Sequence, residues 1–158
     1  METVKDLLAK HAFFQNLSSE HLEILAGCGK NAHFKKGARI LAEGDEADYF
    51  YVIRKGRVAL DIDGAERGSI RIQTIEEGEV LGWSWLIPPH HWKFSATVVE
   101  ETSAIALDGR CLRGKCENDR GLGFELLKRF SSVLAERLES TRMQLLDVYG
   151  LPNERQPR

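Results

Sequence analysis

The spacing of apolar residues divides the chain into three parts, and the first part is helical. Residues 2–29 follow a helical pattern, and Ser18 has the features of an N-cap that opens a second short helix. Leu17 before this serine and Leu22 four residues after the cap match a hydrophobic staple. The glycines that follow predict the end of this helix.

The second part, from Phe34 to Leu107, has the alternating pattern of β-strands. Short runs of alternating apolar and polar or small residues are separated by glycines, as expected for an antiparallel barrel or sandwich. The predicted strands are 49–53, 58–63, 70–75, 94–100 and 103–107, with a hairpin loop over 63–68.

The third part begins after Asp119, where apolar residues recur every three or four positions. This spacing predicts one helix of roughly 28 residues, with Glu125 and Arg129 as an i,i+4 ion pair. The apolar stripe consists of Leu127, Phe130, Leu134, Leu138, Thr141, Leu145 and Val148. Since one small barrel cannot cover such a helix, we expect a parallel homodimer in which Thr141 sets the register. The alternative is a helix that folds back over its own barrel as a lid.

Together these patterns predict one α+β domain, a size that 158 residues fit. We divide it into N-terminal helices at 1–32, an antiparallel β-barrel at 33–119, the long helix at 120–149 and a polar tail at 150–158.

Composition excludes several classes of protein. The 22 basic and 24 acidic residues give a net charge of −2, so the chain has no general basic field to hold nucleic acid. No apolar run is long enough to cross a membrane and the N-terminus lacks a secretory signal, so we expect a cytoplasmic protein with no membrane contact. The three cysteines have no spacing typical of a disulfide framework, which favours reduced thiols.

All three tryptophans lie in one short stretch, "GEVLGWSWLIPPHHWKFSATVVEE", at residues 78–101. Two further stretches are distinctive: "ILAEGDEADYFYVIRKGRVAL" at 40–60, where an acid-Gly turn leads into an aromatic-rich strand, and "RFSSVLAERLESTRMQLLDVYG" at 129–150. With "EEGEVLG" at 76–82, their order resembles the cyclic-nucleotide-binding sensor domain of the Crp/Fnr bacterial regulators. The resemblance implies a jelly-roll (double-stranded β-helix) barrel followed by a dimerisation helix.

The resemblance also implies where a ligand would bind and how this chain departs from the family. The family holds a cyclic phosphate with a Gly-Glu pair that opens a short helix, and with an arginine followed by serine or threonine. Gly82 and Ser95 occupy the glycine and hydroxyl positions, but Trp83 replaces the acid and Phe94 replaces the arginine. Losing one such charged contact costs about 2 to 5 kcal/mol, so we expect weak or no cyclic AMP binding.

The expected ligand site has polar groups at its rim and aromatic walls. Gly82, Ser84 and Ser95 are the expected donors, and the walls are Trp83, Trp85 and Phe94, joined by Trp92. Thr141 matches the family position that reaches the ligand from the dimer helix. Lys93 should point away, because neighbouring residues on a strand face opposite sides. The alternative is that these rings simply fill a disused pocket.

Other candidate chemistry is weaker. Cys111 and Cys116 could form a redox pair or half of a metal site, but an iron–sulfur cluster usually takes four thiolates, the chain has three, and Cys28 lies on a separate predicted helix. His90 and His91 follow two prolines in a predicted loop. We therefore expect no metal, haem or other cofactor, and no catalytic residues, since the chain lacks a usable catalytic motif.

The functional hypothesis is a stand-alone regulatory sensor module that takes up a small effector. The chain ends about eight residues after Gly150, so we expect no helix-turn-helix, no direct DNA binding, and output through a protein partner. Two alternatives stay open: a ligand-free scaffold or interaction protein, and a haem or redox sensor.

Overall fold

The structure is a computed structural model that describes residues 1–149, so the predicted tail at 150–158 lies outside the described residues. Within 1–149 there are four α-helices and six strands. In chain order they are α1 (Val4–Lys10), α2 (Ser19–Gly27), β1 (Gly29–Phe34), β2 (Arg39–Leu41), β3 (Tyr49–Asp63), β4 (Ser69–Glu76), β5 (Val80–Leu81), β6 (Ser95–Asp108), α3 (Gly109–Asn118) and α4 (Arg120–Val148).

The strands form one antiparallel sheet in the order β1-β6-β3-β4, with β2 on β6 and β5 on β3. This confirms the predicted antiparallel jelly-roll barrel with short N-terminal helices and a long C-terminal helix. The first strand begins at Gly29, so the predicted boundary between helices and barrel at 32/33 falls inside β1. The hairpin between β3 and β4 turns at 64–68, where the sequence predicted a loop.

The predicted boundaries of the two longest strands are wrong. β3 has 15 residues and β6 has 14, whereas the sequence pattern divided each into two strands. Gly56 does not end a strand but lies inside β3, with φ +109°. A Cβ atom there would lie 2.4 Å from Oγ1 of Thr102 on β6, and the register of β3 against β6 shifts on either side of it. Gly56 is therefore a bulge that bends a continuous strand.

The N-terminal helices are capped as the sequence predicts. The Ser18 hydroxyl accepts a hydrogen bond from the backbone N–H of His21 at 3.1 Å, and Leu17 and Leu22 are both buried in the core. Thr3 and Asp6 form a reciprocal capping box at the start of α1. Both helices therefore have their first backbone donors satisfied.

His11 attaches this N-terminal segment to the barrel. Its Nε2 lies 2.8 Å from the carbonyl oxygen of Ile53 on β3, and its Nδ1 accepts a hydrogen bond from the N–H of Phe13 at 3.1 Å. Because a carbonyl can only accept, Nε2 carries the proton and the buried ring is neutral. Burial lowers the pKa of His11, although the bond to Ile53 partly opposes this.

The prediction that the cysteines are reduced thiols is wrong for two of them. Cys28 and Cys111 form a disulfide bond, with their Cα atoms 6.0 Å apart, so the expectation of reduced thiols is wrong for both. They meet because β1 pairs with β6 from Gly29 opposite Leu107, which places the residue before β1 beside the residues after β6. Cys116 is a free thiol.

The long helix α4 packs against its own barrel and also keeps an exposed apolar side. Phe130, predicted as part of the exposed stripe, is instead in the core, where its ring centroid lies 4.9 Å from Phe13, 5.2 Å from Phe50 and 5.6 Å from Trp85. Further along, Nε2 of Gln144 donates to the carbonyl of Ile72 on β4 at 3.2 Å.

Within residues 1–149, no helix is both long and apolar enough to span a bilayer.

His11 should make the stability of the protein depend on pH. Because its folded pKa lies below the ordinary value of 6.5, the unfolded chain binds the proton more readily, and the free energy of unfolding should fall as pH drops below about 6.5. Urea unfolding at several pH values between about 5 and 8 measures this. In His11→Asn, whose amide oxygen can still accept from Phe13, the decline should be smaller. A decline equal to that of wild type would contradict the assignment, and exposed His33→Asn is the control.

The disulfide should contribute to stability. It joins residues 83 positions apart, and closing a loop of that size stabilises a protein by about 2 to 4 kcal/mol. Urea unfolding of a Cys28→Ala, Cys111→Ala double variant should show that loss, whereas Cys116→Ala should remain close to wild type. Thiol titration of the denatured, unreduced protein should give one thiol per chain; three would contradict the bond.

Candidate functional site

The segment that follows β5 is a single turn rather than a helix. Gly82 has φ +97°, and the N–H of Leu86 donates to the carbonyl oxygen of Trp83 at 3.0 Å, closing the turn. The resemblance implied a short helix whose N–H groups would face a phosphate. Residues 83–86 do not form that helix here, and the prolines that follow at 88 and 89 prevent its extension.

Trp92 fixes this turn to the rest of the barrel. A Cβ atom at Gly82 would lie 2.5 Å from two atoms of the Trp92 ring, so a glycine is needed both for its backbone conformation and for this close approach. The backbone of Trp92 donates to Asp45 at 2.9 Å and accepts from Gly44 at 2.8 Å. The buried indole therefore occupies the space directly above the glycine.

The aromatic–arginine cluster, which we define as Trp83, Trp92, Phe94 and Arg137, occupies the predicted ligand position. The Phe94 ring is buried and lies 5.5 Å from Trp83 and 6.1 Å from Trp92, measured between centroids. Trp83 is only partly buried. The two substitutions that distinguish this chain from the resemblance are thus in contact with each other.

Arg137 is the member of the cluster that the sequence analysis missed. It comes from α4, is only 8% exposed, and its guanidinium carbon lies 4.7 Å from the centroid of Trp83. Nη2 donates to the carbonyl of Val80 at 2.6 Å, while Nη1 is buried with no hydrogen-bond partner among residues 1–149. Its position seven residues after Phe130 and four before Thr141, on one helix face, is the signal that could have identified it.

The electrostatics of Arg137 are unusual for a buried side chain. Burial lowers its pKa to about 10, with Glu79 and Glu136 opposing the shift, so the guanidinium stays charged at neutral pH. Within residues 1–149 it forms no ion pair, although a buried charge costs several kcal/mol without one. The cation–π contact of Arg137 with Trp83 is shielded from water, and a contact of this kind contributes about 2 kcal/mol. The cluster therefore holds a positive charge that the protein balances only in part.

The structure brings together only some of the predicted site residues. Trp85 lies on the opposite side of the turn from Trp83, in the core, stacked on Phe50 at 4.7 Å. Ser84 is buried in the turn. The hydroxyl of Ser95 accepts from the N–H of Glu43 at 2.9 Å, and Ser95 lines a different cavity at the β3–β4 hairpin.

Lys93 and Thr141 both lie outside the cluster. Lys93 is exposed while Phe94 is buried, which confirms that the lysine points away from the cluster. Thr141 is exposed and lies one helical turn beyond Arg137, on the face that continues to Gln144.

Among residues 1–149 no group of three or more histidine, cysteine, aspartate or glutamate side chains could hold a metal ion.

Known proteins resemble this chain in sequence and in fold. The chain is 24% identical over 143 residues to the CRP-like cAMP-activated global transcriptional regulator of Mycobacterium tuberculosis, covering 90% of this chain and 62% of that regulator's length. A solved protein of Geobacter metallireducens, assigned as cyclic nucleotide-binding, is 26% identical with a TM-score of 0.76, covering 87% of this chain and 99% of that one.

A cyclic nucleotide-binding domain from Methylobacillus flagellatus has the same fold, with a TM-score of 0.77 at 22% identity, covering 91% of this chain and 81% of that one. The family model for the cyclic nucleotide-binding domain matches residues 31–119, which contain all six strands apart from the first two residues of β1. With that match over more than half of its length, the chain belongs to the cyclic nucleotide-binding domain family.

Proposed function

We propose that this chain is a non-enzymatic regulatory sensor module that takes up a small effector at the aromatic–arginine cluster and binds cyclic AMP weakly or not at all. The observation that carries the proposal is the contact of Trp83 with both Phe94 and Arg137. Two rings stand where the resemblance expects an acid and an arginine, and a helix-borne guanidinium supplies the positive charge instead.

The chemistry of the cluster indicates what such an effector would be. Nη1 of Arg137 is buried without a partner, so an effector reaches its donors only by displacing Trp83, whose side chain is partly exposed. A planar molecule with an acceptor oxygen matches both features. A cyclic phosphodiester fits less well, because it would need the turn donors and the second cation of the usual cassette, and Phe94 lies where that cation would be.

We propose that the output passes through α4 to a protein partner, not directly to DNA. Arg137 belongs to α4 and touches the turn after β5, so an effector that competes for Trp83 or pairs with Arg137 changes the stability of the packed helix.

We further propose that two copies associate through the exposed side of α4. Leu138, Leu145 and Val148 are 68%, 51% and 78% exposed, and their spacing of seven and three residues repeats the a/d pattern of a coiled coil. The barrel packs against a different side of the helix, through Phe130, Arg137 and Gln144, and Thr141 lies at the border between the two sides.

Binding should be measured by intrinsic tryptophan fluorescence and thermal unfolding with cyclic AMP, cyclic GMP, cyclic di-GMP and the planar carboxylate indole-3-acetate. We expect cyclic AMP to give no saturable change at micromolar concentrations and a planar anion to stabilise the protein, by about 2.7 kcal/mol at a hundredfold excess over Kd. Arg137→Met should abolish that response. Exposed Arg142→Met, on the next turn of α4, is the matched control.

Tight, saturable binding of cyclic AMP would contradict the altered specificity. If none of these molecules changes either signal, the proposed sensor function is wrong and the chain is a ligand-free scaffold. The packing of the cluster by its own aromatic rings also favours that alternative. Visible absorption of the freshly purified protein tests the haem or redox alternative, which a featureless spectrum would exclude.

The dimer can be tested with Leu138→Glu. This exposed position lies on the proposed contact, so a buried carboxylate should shift the equilibrium towards monomer by several kcal/mol while leaving the monomer fold intact. Analytical ultracentrifugation of wild type and variant measures the mass in solution. Ser140→Glu, on a neighbouring face of the same helix, should stay dimeric; a monomeric wild type would refute the dimer.

A further inference from the structure

A cavity lies at the junction of α3 and α4, separate from the aromatic–arginine cluster. Its volume is ≈ 540 Å³, within the range of small-molecule sites. The apolar part of its wall consists of Leu86, Pro88, Phe124 and Leu127. Phe124 and Leu127 are 63% and 52% exposed, although Leu122 and Leu126 on the same turns of α4 are fully buried. In a single chain the base of α4 therefore leaves apolar surface open at this cavity, and Leu127 is also the first residue of the stripe predicted for the homodimer.

The rim of the cavity carries unpaired positive charge. Arg113 on α3 and Arg120 at the start of α4 both line it, and neither forms an ion pair with an acid anywhere in residues 1–149. Arg110, by contrast, pairs with acids on two sides. Nη1 of Arg113 donates to the carbonyl of Trp85, which holds the guanidinium in place and leaves its other donors free. Glu117 is the one acid in the described lining.

A free thiol gives this cavity a built-in reporter. Cys116 lines the wall and is half-buried, and with Cys28 and Cys111 bonded it is the free cysteine of the chain. Burial raises the pKa of its thiol, so the sulfur is protonated at neutral pH and adds to the apolar wall. Any molecule that fills the cavity must cover this sulfur.

We propose that this cavity binds a small amphipathic anion, with one carboxylate on Arg113 and Arg120 and a short apolar body against Phe124 and Leu127. The two arginines match a carboxylate because guanidinium presents paired donors in the geometry of its oxygens. The apolar wall requires a body without polar groups of its own, which excludes sugars and most nucleotides. This site is additional to the effector site proposed above and does not depend on it.

The test uses the full chain, with octanoate as the probe and 1-octanol as its uncharged counterpart. The rate of Cys116 alkylation by N-ethylmaleimide is followed by mass spectrometry while each compound is titrated. We expect octanoate to slow the reaction saturably and octanol to act much more weakly. Removing one charge-assisted contact, in Arg113→Met or Arg120→Met, should weaken octanoate binding by roughly tenfold or more.

The controls separate charge from packing. Arg110→Met, which removes a cation of α3 that does not line the cavity, should leave octanoate binding unchanged. Calorimetry on Cys116→Ser measures the same affinity without the thiol, and circular dichroism verifies each fold. Because Arg120 is exposed, its variant tests the proposal even if Arg113→Met does not fold.

Three results would overturn the proposal. The first is no protection by octanoate or equal protection by octanol, which removes the role of the carboxylate. The second is octanoate binding that survives both arginine variants. The third is protection that rises with protein concentration in the absence of octanoate, which would identify a second copy of the chain as the occupant. Each of these results leaves the measurements on Arg137 and the cluster unaffected.

Discussion

The packing of Phe130 is the interaction on which the rest of the structure depends. Its ring contacts Phe13 of the N-terminal segment, Phe50 of the barrel and Trp85 of the turn after β5, so four regions of the chain meet at one side chain. Burying a ring of this size contributes about 1.5 to 3 kcal/mol from transfer alone, and aromatic pairs add to it. Because α4 is rigid, this contact also determines where Arg137 lies, two turns further along.

Arg137 places a positive charge beside the rings of Trp83 and Phe94. Phe94 precedes β6 and carries no charge where the resemblance implies an arginine, and the cation at this cluster comes from α4. The turn after β5 has contacts on both sides, since Trp83 faces Arg137 while the carbonyl of Trp85 accepts from Arg113 at the cavity between α3 and α4. The two proposed sites are therefore close in the chain but are built from different side chains.

The sequence predicted the candidate site in part, and the failures share a cause. Gly82, Trp83 and Phe94 lie together because they belong to one short segment of the chain, and the resemblance identifies that segment. Trp85, only two residues from Trp83, lies in the core, since a turn does not keep the alternation of a strand and sends the two indoles to opposite sides. Arg137 is distant in sequence, and only the packing of α4 brings it to the same place.

Local interactions explain what the sequence by itself determined: the length and apolar spacing of α4, the Ser18 cap and the hairpin turn. Each depends on residues within a few positions of one another, where helical or strand geometry settles the outcome. The tertiary structure alone decided that Gly56 bends a continuous strand against Thr102, and that Cys28 reaches Cys111. Those outcomes require surfaces distant in sequence to meet, and no local pattern specifies which surfaces do so.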